Sequence, residues 1–400
     1  MKAVLFLAGL ALPILQSGGS SPDLPEPRSA SDLRVLVVGG GPDPRDNQVA
    51  IESNVRYFDR LLDPGVGRRI LFANGDATDK TVQYEDDSGT TRYRAPQLRQ
   101  MDGPSRLASV QKEFDGLTRQ VEGDPGSRVL LYFTGHGSSN VESEYTNNRF
   151  DLWGDDELSV KRLAAYLDEL PRKTPVTVVM VQCFSGAFGN LIFQDGDPTE
   201  DLSDRPICGF FAAIAPRMAA GCTPSIDEAD YQDFTGYFFG ALTGVDRLGH
   251  RISGADYNHD GRVTMDEAYA YALIHDDSID TPTCSSDTFL RRFVKATEEK
   301  TFATRWSMVR SWATQAQGAA LDALSKDLEL SGEDRPKVAY DKFQRIDKMS
   351  ESAYETHLIR FVRLINSVVL AHDLEISQDQ RLKQRFHRLV KAEDSNPLAQ

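Results

Sequence analysis

Two residues in this chain stand where paired base and nucleophile chemistry needs them. His136 lies in Thr134-Gly135-His136-Gly137, directly after the apolar run Arg128–Phe133. Cys183 lies in Gln182-Cys183-Phe184-Ser185-Gly186, directly after Thr177–Val181. An imidazole beside a thiol takes its proton as the sulfur attacks and later returns a proton to the leaving group. A helix N-terminus following the cysteine would favour its thiolate. Small neighbours leave the backbone N–H groups of Gly137 and Cys183 free to line an oxyanion pocket. The alternative is a buried structural cysteine and an incidental loop histidine. The same order at two strand ends, apolar run, reactive residue, then glycine, favours catalysis.

A second pattern runs Asp256-Tyr257-Asn258-His259-Asp260-Gly261-Arg262-Val263-Thr264-Met265-Asp266-Glu267. It matches the EF-hand-type calcium loop D-x-[DN]-x-[DN]-G-x5-E at every position. The ligands expected for Ca²⁺ are Asp256, Asn258 and Asp260, the Arg262 carbonyl, Thr264 directly or through water, and a bidentate Glu267. The incoming segment, Arg247 to Ala255, carries two glycines and makes a poor helix. The expectation is therefore a lone hand that binds calcium structurally, the alternative being an acidic surface turn without metal.

These groups need a scaffold, and the surrounding pattern supplies one. Leu33–Val38, Arg69–Ala73, Arg128–Phe133, Thr177–Val181 and Cys208–Ile214 read as strands. Amphipathic helices are expected over Asn47–Leu62, Ser105–Val121 and Ser159–Leu170, the last with a Ser N-cap. Asp79–Pro104 reads as a long polar surface excursion. The alternation of strands and helices predicts an α/β fold with a mostly parallel sheet covered on both faces, reactive residues at the carboxyl ends of strands. From about Asp287 the pattern becomes helix after helix, over Thr288–Leu330, Arg335–Arg345, Ser350–His372 and Gln378–Lys391. The organisation expected is a signal peptide over 1–19, a linker over 20–32, a catalytic domain over 33–285 and an α-helical C-terminal domain over 286–400.

The signal-peptide reading rests on Lys2, the apolar run Ala3–Leu15 and the small residues Ser17 and Gly19. That run is shorter than the ~20 residues of a spanning helix, so a secreted or periplasmic protein without a permanent membrane span is expected. With 45 basic and 60 acidic side chains the net charge is −15, which argues against a nucleic-acid partner. The charge is uneven: Asp287–Gln400 holds 19 basic and 17 acidic residues, leaving 26 and 43 for the remainder. Four cysteines, Cys183, Cys208, Cys222 and Cys284, are too few for a disulfide scaffold, Cys208–Cys222 being the local pairing to expect. The acidic stretch Asp227, Glu228, Asp230, Asp233 reads either as a solvated loop or as the lining of a pocket for Arg or Lys.

Around the two reactive positions the chain resembles the caspase–legumain clan of cysteine peptidases. The segments V-L-V-V-G-G-G-P, N-Q-V-A-I-E-S-N-V-R-Y-F and R-I-L-F-A-N-G-D look most like its legumain branch. The resemblance covers about Leu33 to Gly244. It implies a caspase-like αβα sandwich, a His136/Cys183 dyad, a thioester acyl-enzyme and hydrolysis of peptide or protein substrates after a preferred P1 residue. Legumain relatives carry an Asn after strand one, where this chain has Gly-Pro-Asp, so Asp43 and Asn47 are neighbours and no third member is assigned. Gln182 stands where legumains often have Ala, so asparagine specificity does not carry over. By architecture alone the resemblance also implies an inhibitory C-terminal domain, whose basic residues Arg381, Lys383, Arg385 and Arg388 would dock on the acidic catalytic part. A partner-recruiting helical domain is the alternative. Two other functions stay open: a transpeptidase or ligase using the same dyad, and a non-catalytic calcium-stabilised binding protein.

Overall fold

The computed structural model describes residues 32–399, so the signal-peptide reading and all of the linker reading except Asp32 lie outside the described residues. The strands are β1 (Leu33–Gly40), β2 (Gly67–Phe72), β3 (Val82–Glu85), β4 (Thr91–Arg94), β5 (Arg128–Gly135), β6 (Gly137–Ser138), β7 (Arg149–Asp151), β8 (Glu157–Ser159), β9 (Val176–Met180), β10 (Ile207–Phe211) and β11 (Thr283–Cys284). The helices are α1 (Val49–Leu61), α2 (Leu107–Gly123), α3 (Val160–Glu169), α4 (Phe234–Thr243), α5 (Met265–His275), α6 (Ser285–Phe293), α7 (Glu298–Phe302), α8 (Trp306–Trp312), α9 (Gln315–Asp327), α10 (Arg335–Phe343), α11 (Ala353–Ile376) and α12 (Gln380–Glu393).

Six strands form the central sheet in the order β11-β10-β9-β5-β1-β2, all parallel except the edge strand β11. The alternation of side chains sorts each strand between two cores. Val35, Val37, Leu130 and Tyr132 face α1, α4 and α6, while Leu36, Val38, Leu131 and Phe133 face α2 and α3. A strand buried on both faces must be apolar at every position, which explains the continuous runs in the sequence. Each such Val or Leu contributes roughly 1.5–3 kcal/mol by leaving water. The result is an α/β sandwich with a mostly parallel sheet.

Two elements depart from the sequence reading. The polar excursion contains the hairpin β3–β4, anchored by buried Val82 and by the Glu52–Arg94 ion pair at 2.6 Å, with the Glu52 side chain fully buried. The expected helix over Thr288–Leu330 is four helices, α6 to α9. Two of the breaks are fixed by side-chain caps, Thr297 bonding the Lys300 N–H and Thr314 the Gln317 N–H.

The C-terminal helices share the core of the sheet. Leu370, Leu374, Phe386 and Leu389 from α11 and α12 join the cluster that holds Phe210 and Phe289, while α8 to α11 build a further core with Ala270 and Leu273 of α5. Arg385 of α12 pairs with Asp204 at 2.5 Å. Asp204 precedes β10, so this contact lies at the amino end of the strands, opposite the end that carries Cys183. Of the residues around this contact Asp204 is acidic while Arg172, Lys173 and Arg205 are basic, and the contact lies away from the reactive residues. Among the described residues no helix is long and apolar enough to cross a membrane.

Candidate active site

β5 and β9 are hydrogen-bonded neighbours, and their carboxyl ends deliver His136 and Cys183 side by side. Gly137 shows how closely the two segments approach. A Cβ there would stand 2.4 Å from the Cys183 carbonyl oxygen and 2.6 Å from Gln182 Cγ, so only glycine fits. Gly186 plays the same part on the other side, where a Cβ would come within 2.6 Å of the Ala213 carbonyl oxygen. Between these glycines Phe184 holds φ 61°, ψ 15°, a left-handed conformation that costs a non-glycine residue about 1–3 kcal/mol. The strain is held by Phe184 N–H donating to the Arg217 carbonyl at 2.8 Å and by Asn148 Nδ2 donating to the Phe184 carbonyl at 3.1 Å.

The loop over 214–222 closes around the sulfur. The Ala219 N–H lies 3.3 Å from Cys183 Sγ, and the Ala219 carbonyl oxygen 3.7 Å from it. Burial pushes the Cys183 thiol up, more than the Ala219 N–H bond pulls it down, and the carboxylates of Asp280 and Asp151 push the same way. The expected lowering by a helix N-terminus is absent: a 3-10 turn over Ser185–Ile192 follows the cysteine, and desolvation dominates.

His136 is oriented by a residue the sequence reading passed over. Gln48, the N-cap of α1, places Oε1 2.9 Å from His136 Nε2. An amide oxygen only accepts, so this contact calls for a proton on Nε2. Gln48 comes from the loop after β1. β1 lies between β2 and β5, where the sheet reverses its winding direction, and loops diverging there open a crevice. Asn47 and Asp43 serve structure instead. Asn47 accepts from the Gly41 N–H at 3.2 Å and donates to the Thr81 carbonyl at 3.0 Å, while Asp43 bonds the Arg45 N–H at 2.7 Å. Asp151 was also missed. Its N–H donates to the His136 carbonyl at 3.0 Å, its Oδ2 accepts from Ser138 at 2.9 Å, and burial raises its pKa. It sits one strand away from the imidazole it would steady when charged.

The other cysteines are not paired. All four thiols are free, so the expected Cys208–Cys222 bridge is not made. Cys208 lies inside β10, 3.8 Å from Thr177 Oγ1, with its pKa pushed up to about 12 by burial. Cys222, at the end of the loop that closes around Cys183, brings its Sγ within 3.8 Å of the Gly135 carbonyl oxygen. The acidic stretch is committed locally. Asp233 is buried against Arg247 at 3.0 Å and caps α4, Glu228 accepts from Ser53 at 2.7 Å, and Asp227 and Asp230 bond Ala229 and Ser225.

The loop over 256–267 turns its oxygens inward in part. Asp256 accepts from the N–H groups of Asp260 at 3.2 Å and Gly261 at 3.0 Å, and Asp260 accepts from Arg262 N–H at 2.9 Å. Gly261 at φ 87° makes the turn. Glu267, however, is buried and bonds the N–H groups of Tyr257 at 2.8 Å, Asn258 at 3.0 Å and Thr264 at 3.1 Å, closing a capping box with Thr264. Among the described residues no three His, Cys, Asp or Glu side chains are gathered to hold a metal. Asp256, Asn258 and Asp260 suit a hard cation; Glu267 would first have to release its amides.

No protein-family profile matches the chain, and no curated protein does. Among solved structures it is similar to a structural-genomics protein from Geobacter sulfurreducens, with 13% identity, TM-score 0.38, and coverage of 63% of this chain and 92% of that one. It is also similar to a secreted C11 cysteine protease from Bacteroides thetaiotaomicron in complex with an irreversible peptide inhibitor, at 14% identity and TM-score 0.29 over 53% of each chain. A second structure of such a protease, iotapain, matches at 10% identity and TM-score 0.31 over 68% of this chain and 74% of that one.

Proposed function

We propose that the chain is an exported cysteine endopeptidase with Cys183 as nucleophile and His136 as base. The observation that carries this reading is the backbone contact at Gly137, which seats the histidine segment on the cysteine turn at adjacent strand ends. His136 Nδ1 takes the Cys183 proton as Sγ bonds to the substrate carbonyl carbon. The oxyanion gathers on the N–H groups of Gly137 and Cys183. The imidazolium then protonates the amine as the C–N bond breaks, leaving a thioester that water hydrolyses through the same base. Gln48 fixes the tautomer throughout. Export rests on the sequence over 1–19.

Calcium belongs to the proposal as a structural ion. Asp256, Asn258, Asp260, the Arg262 carbonyl, Thr264 and Glu267 would hold it, and its chemistry there is charge neutralisation of the loop. The transpeptidase reading shares every atom of the mechanism except the acceptor. The test is a panel of fluorogenic peptides varied at P1, with and without an added amine, on the wild type and Cys183→Ala. Cleavage lost in Cys183→Ala supports the peptidase; amine-capped products dominating over acid products would make it a transferase. No turnover of any peptide by the wild type, with Cys183 inert to alkylation, would favour the binding protein.

A further inference from the structure

The loop over 214–222 that cages the thiol is held from outside the catalytic sheet. On one side it is tied to the cysteine turn, through Arg217 O to Phe184 N–H and Ala215 O to Asn148 Nδ2 at 2.9 Å. On the other it is tied to the C-terminal helices. Arg217 is 3% exposed, and its guanidinium donates to the carbonyl oxygens of Lys348 and Ser350, the latter at 2.8 Å, in the connection between α10 and α11. Arg360, on α11 and 2% exposed, donates to the carbonyls of Asp280 at 2.7 Å, Ser278 at 3.2 Å, Leu273 at 3.4 Å and Asp276. It thereby shapes the segment from α5 to β11. Asp280, at the end of that segment, accepts the Ala220 N–H at 2.6 Å and the Phe234 N–H at 2.9 Å. Ala220 is next to Ala219, whose backbone meets Cys183 Sγ.

We propose that Arg217 and Arg360 are positioning residues through which the C-terminal helices hold the Ala219 cage against the Cys183 thiol. The helices are then a structural part of the active site, and their contact with it works in favour of the reaction. Both buried guanidinium groups donate to backbone carbonyls, Arg217 to two and Arg360 to four, an arrangement that fixes chain path more than net charge. Ala219 cannot keep its N–H on the sulfur if either tether goes, because the loop has the cysteine turn on one side and these two anchors on the other. The proposal rests on Cys183 being the nucleophile, so its test includes a reading of the thiol that needs no substrate.

The experiment compares wild type, Arg217→Met and Arg217→Lys by the pH profile of Cys183 alkylation with iodoacetamide, together with kcat and KM on a cleaved peptide. Loosening the cage removes the burial that raises the Cys183 thiol along with the smaller pull of the Ala219 N–H, so the Arg217→Met profile should move to lower pH. Its kcat should fall about tenfold with little change in KM, and Arg217→Lys should recover part of both. Arg217→Met left with the wild-type profile and kcat overturns the proposal. Should Arg217→Met fail to fold, replacing 347–351 with a Gly-Ser segment of equal length removes the ordered acceptors while keeping the arginine. The same shift is expected there, and an unchanged profile again overturns it. If no peptide is ever cleaved the peptidase reading fails, while the alkylation profile still decides the positioning role.

Discussion

The thiol site and the acidic loop over 256–267 were both visible as motifs, yet the fold treats them differently. At the thiol site, two adjacent strands, a glycine contact and a strained Phe184 bring the His136 and Cys183 segments together at one end of the sheet. In the acidic loop, the carboxylate that should close the shell, Glu267, is already satisfied by three backbone amides. A site is built when the fold spends structure on keeping functional atoms uncommitted.

The largest effect expected is at the nucleophile. Cys183→Ala should abolish turnover, and His136→Ala should reduce it by about 10²-fold or more, with melting temperatures nearly unchanged because neither side chain fills the core. Activity surviving in Cys183→Ala would dissolve the contrast between the two regions. Next comes Gln48→Ala. A hydrogen bond to a group that becomes charged is worth about 1.5–3 kcal/mol, so kcat should fall about 10- to 100-fold. A variant with wild-type kcat would show that Gln48 does not set the tautomer.

A smaller effect is expected in the acidic loop. Added calcium should raise the melting temperature by a few degrees through binding to the folded state alone, and Glu267→Gln should remove that gain. A melt indifferent to both calcium and chelator would leave the loop a capping device. The smallest effect concerns α12. Glu393 is buried, accepts the Ser286 N–H at 2.7 Å, and has its pKa raised to about 8, first by burial and then by the charges of Asp266 and Asp287. The folded state holds this proton more tightly than the unfolded chain, whose carboxyl titrates near 4.5. Its contribution is therefore present at low pH and declines as pH rises from about 4.5 through about 8. Glu393→Gln should flatten the fall of melting temperature across that window; an equally steep fall would place its origin elsewhere.

Much of the scaffold was legible because parallel strands buried on both faces leave continuous apolar runs. β1, β5, β9 and β10 follow the expected segments to within a few residues, and α3 starts at the expected Ser159 cap, whose side chain accepts from the Arg162 N–H. The positions of His136 and Cys183 just past adjacent strands were legible for the same reason, since a residue after such a run is placed by the run. Gln48 was not, because a glutamine at a helix start looks like any polar surface residue, and its role depends on β1 lying beside β5. Asp151 was hidden likewise, on a short strand paired back onto β6. The anchoring role of Arg217 and Arg360 depends on how α11 folds back on the α5–β11 connection, a long-range choice that local patterning does not encode. Nor did the charge pattern tell which end of the sheet α12 would meet.

The most direct test of the central claim is substoichiometric alkylation of the native protein followed by peptide mapping. Cys208 and Cys284 are buried; Cys183 and Cys222 are half-buried and burial raises both thiols, but Cys183 alone follows the strand next to the one that leads into His136. The account predicts label on Cys183 first, at a rate that drops sharply in His136→Ala. Label appearing first on Cys222 or Cys284, or a Cys183 rate unchanged without His136, would contradict it.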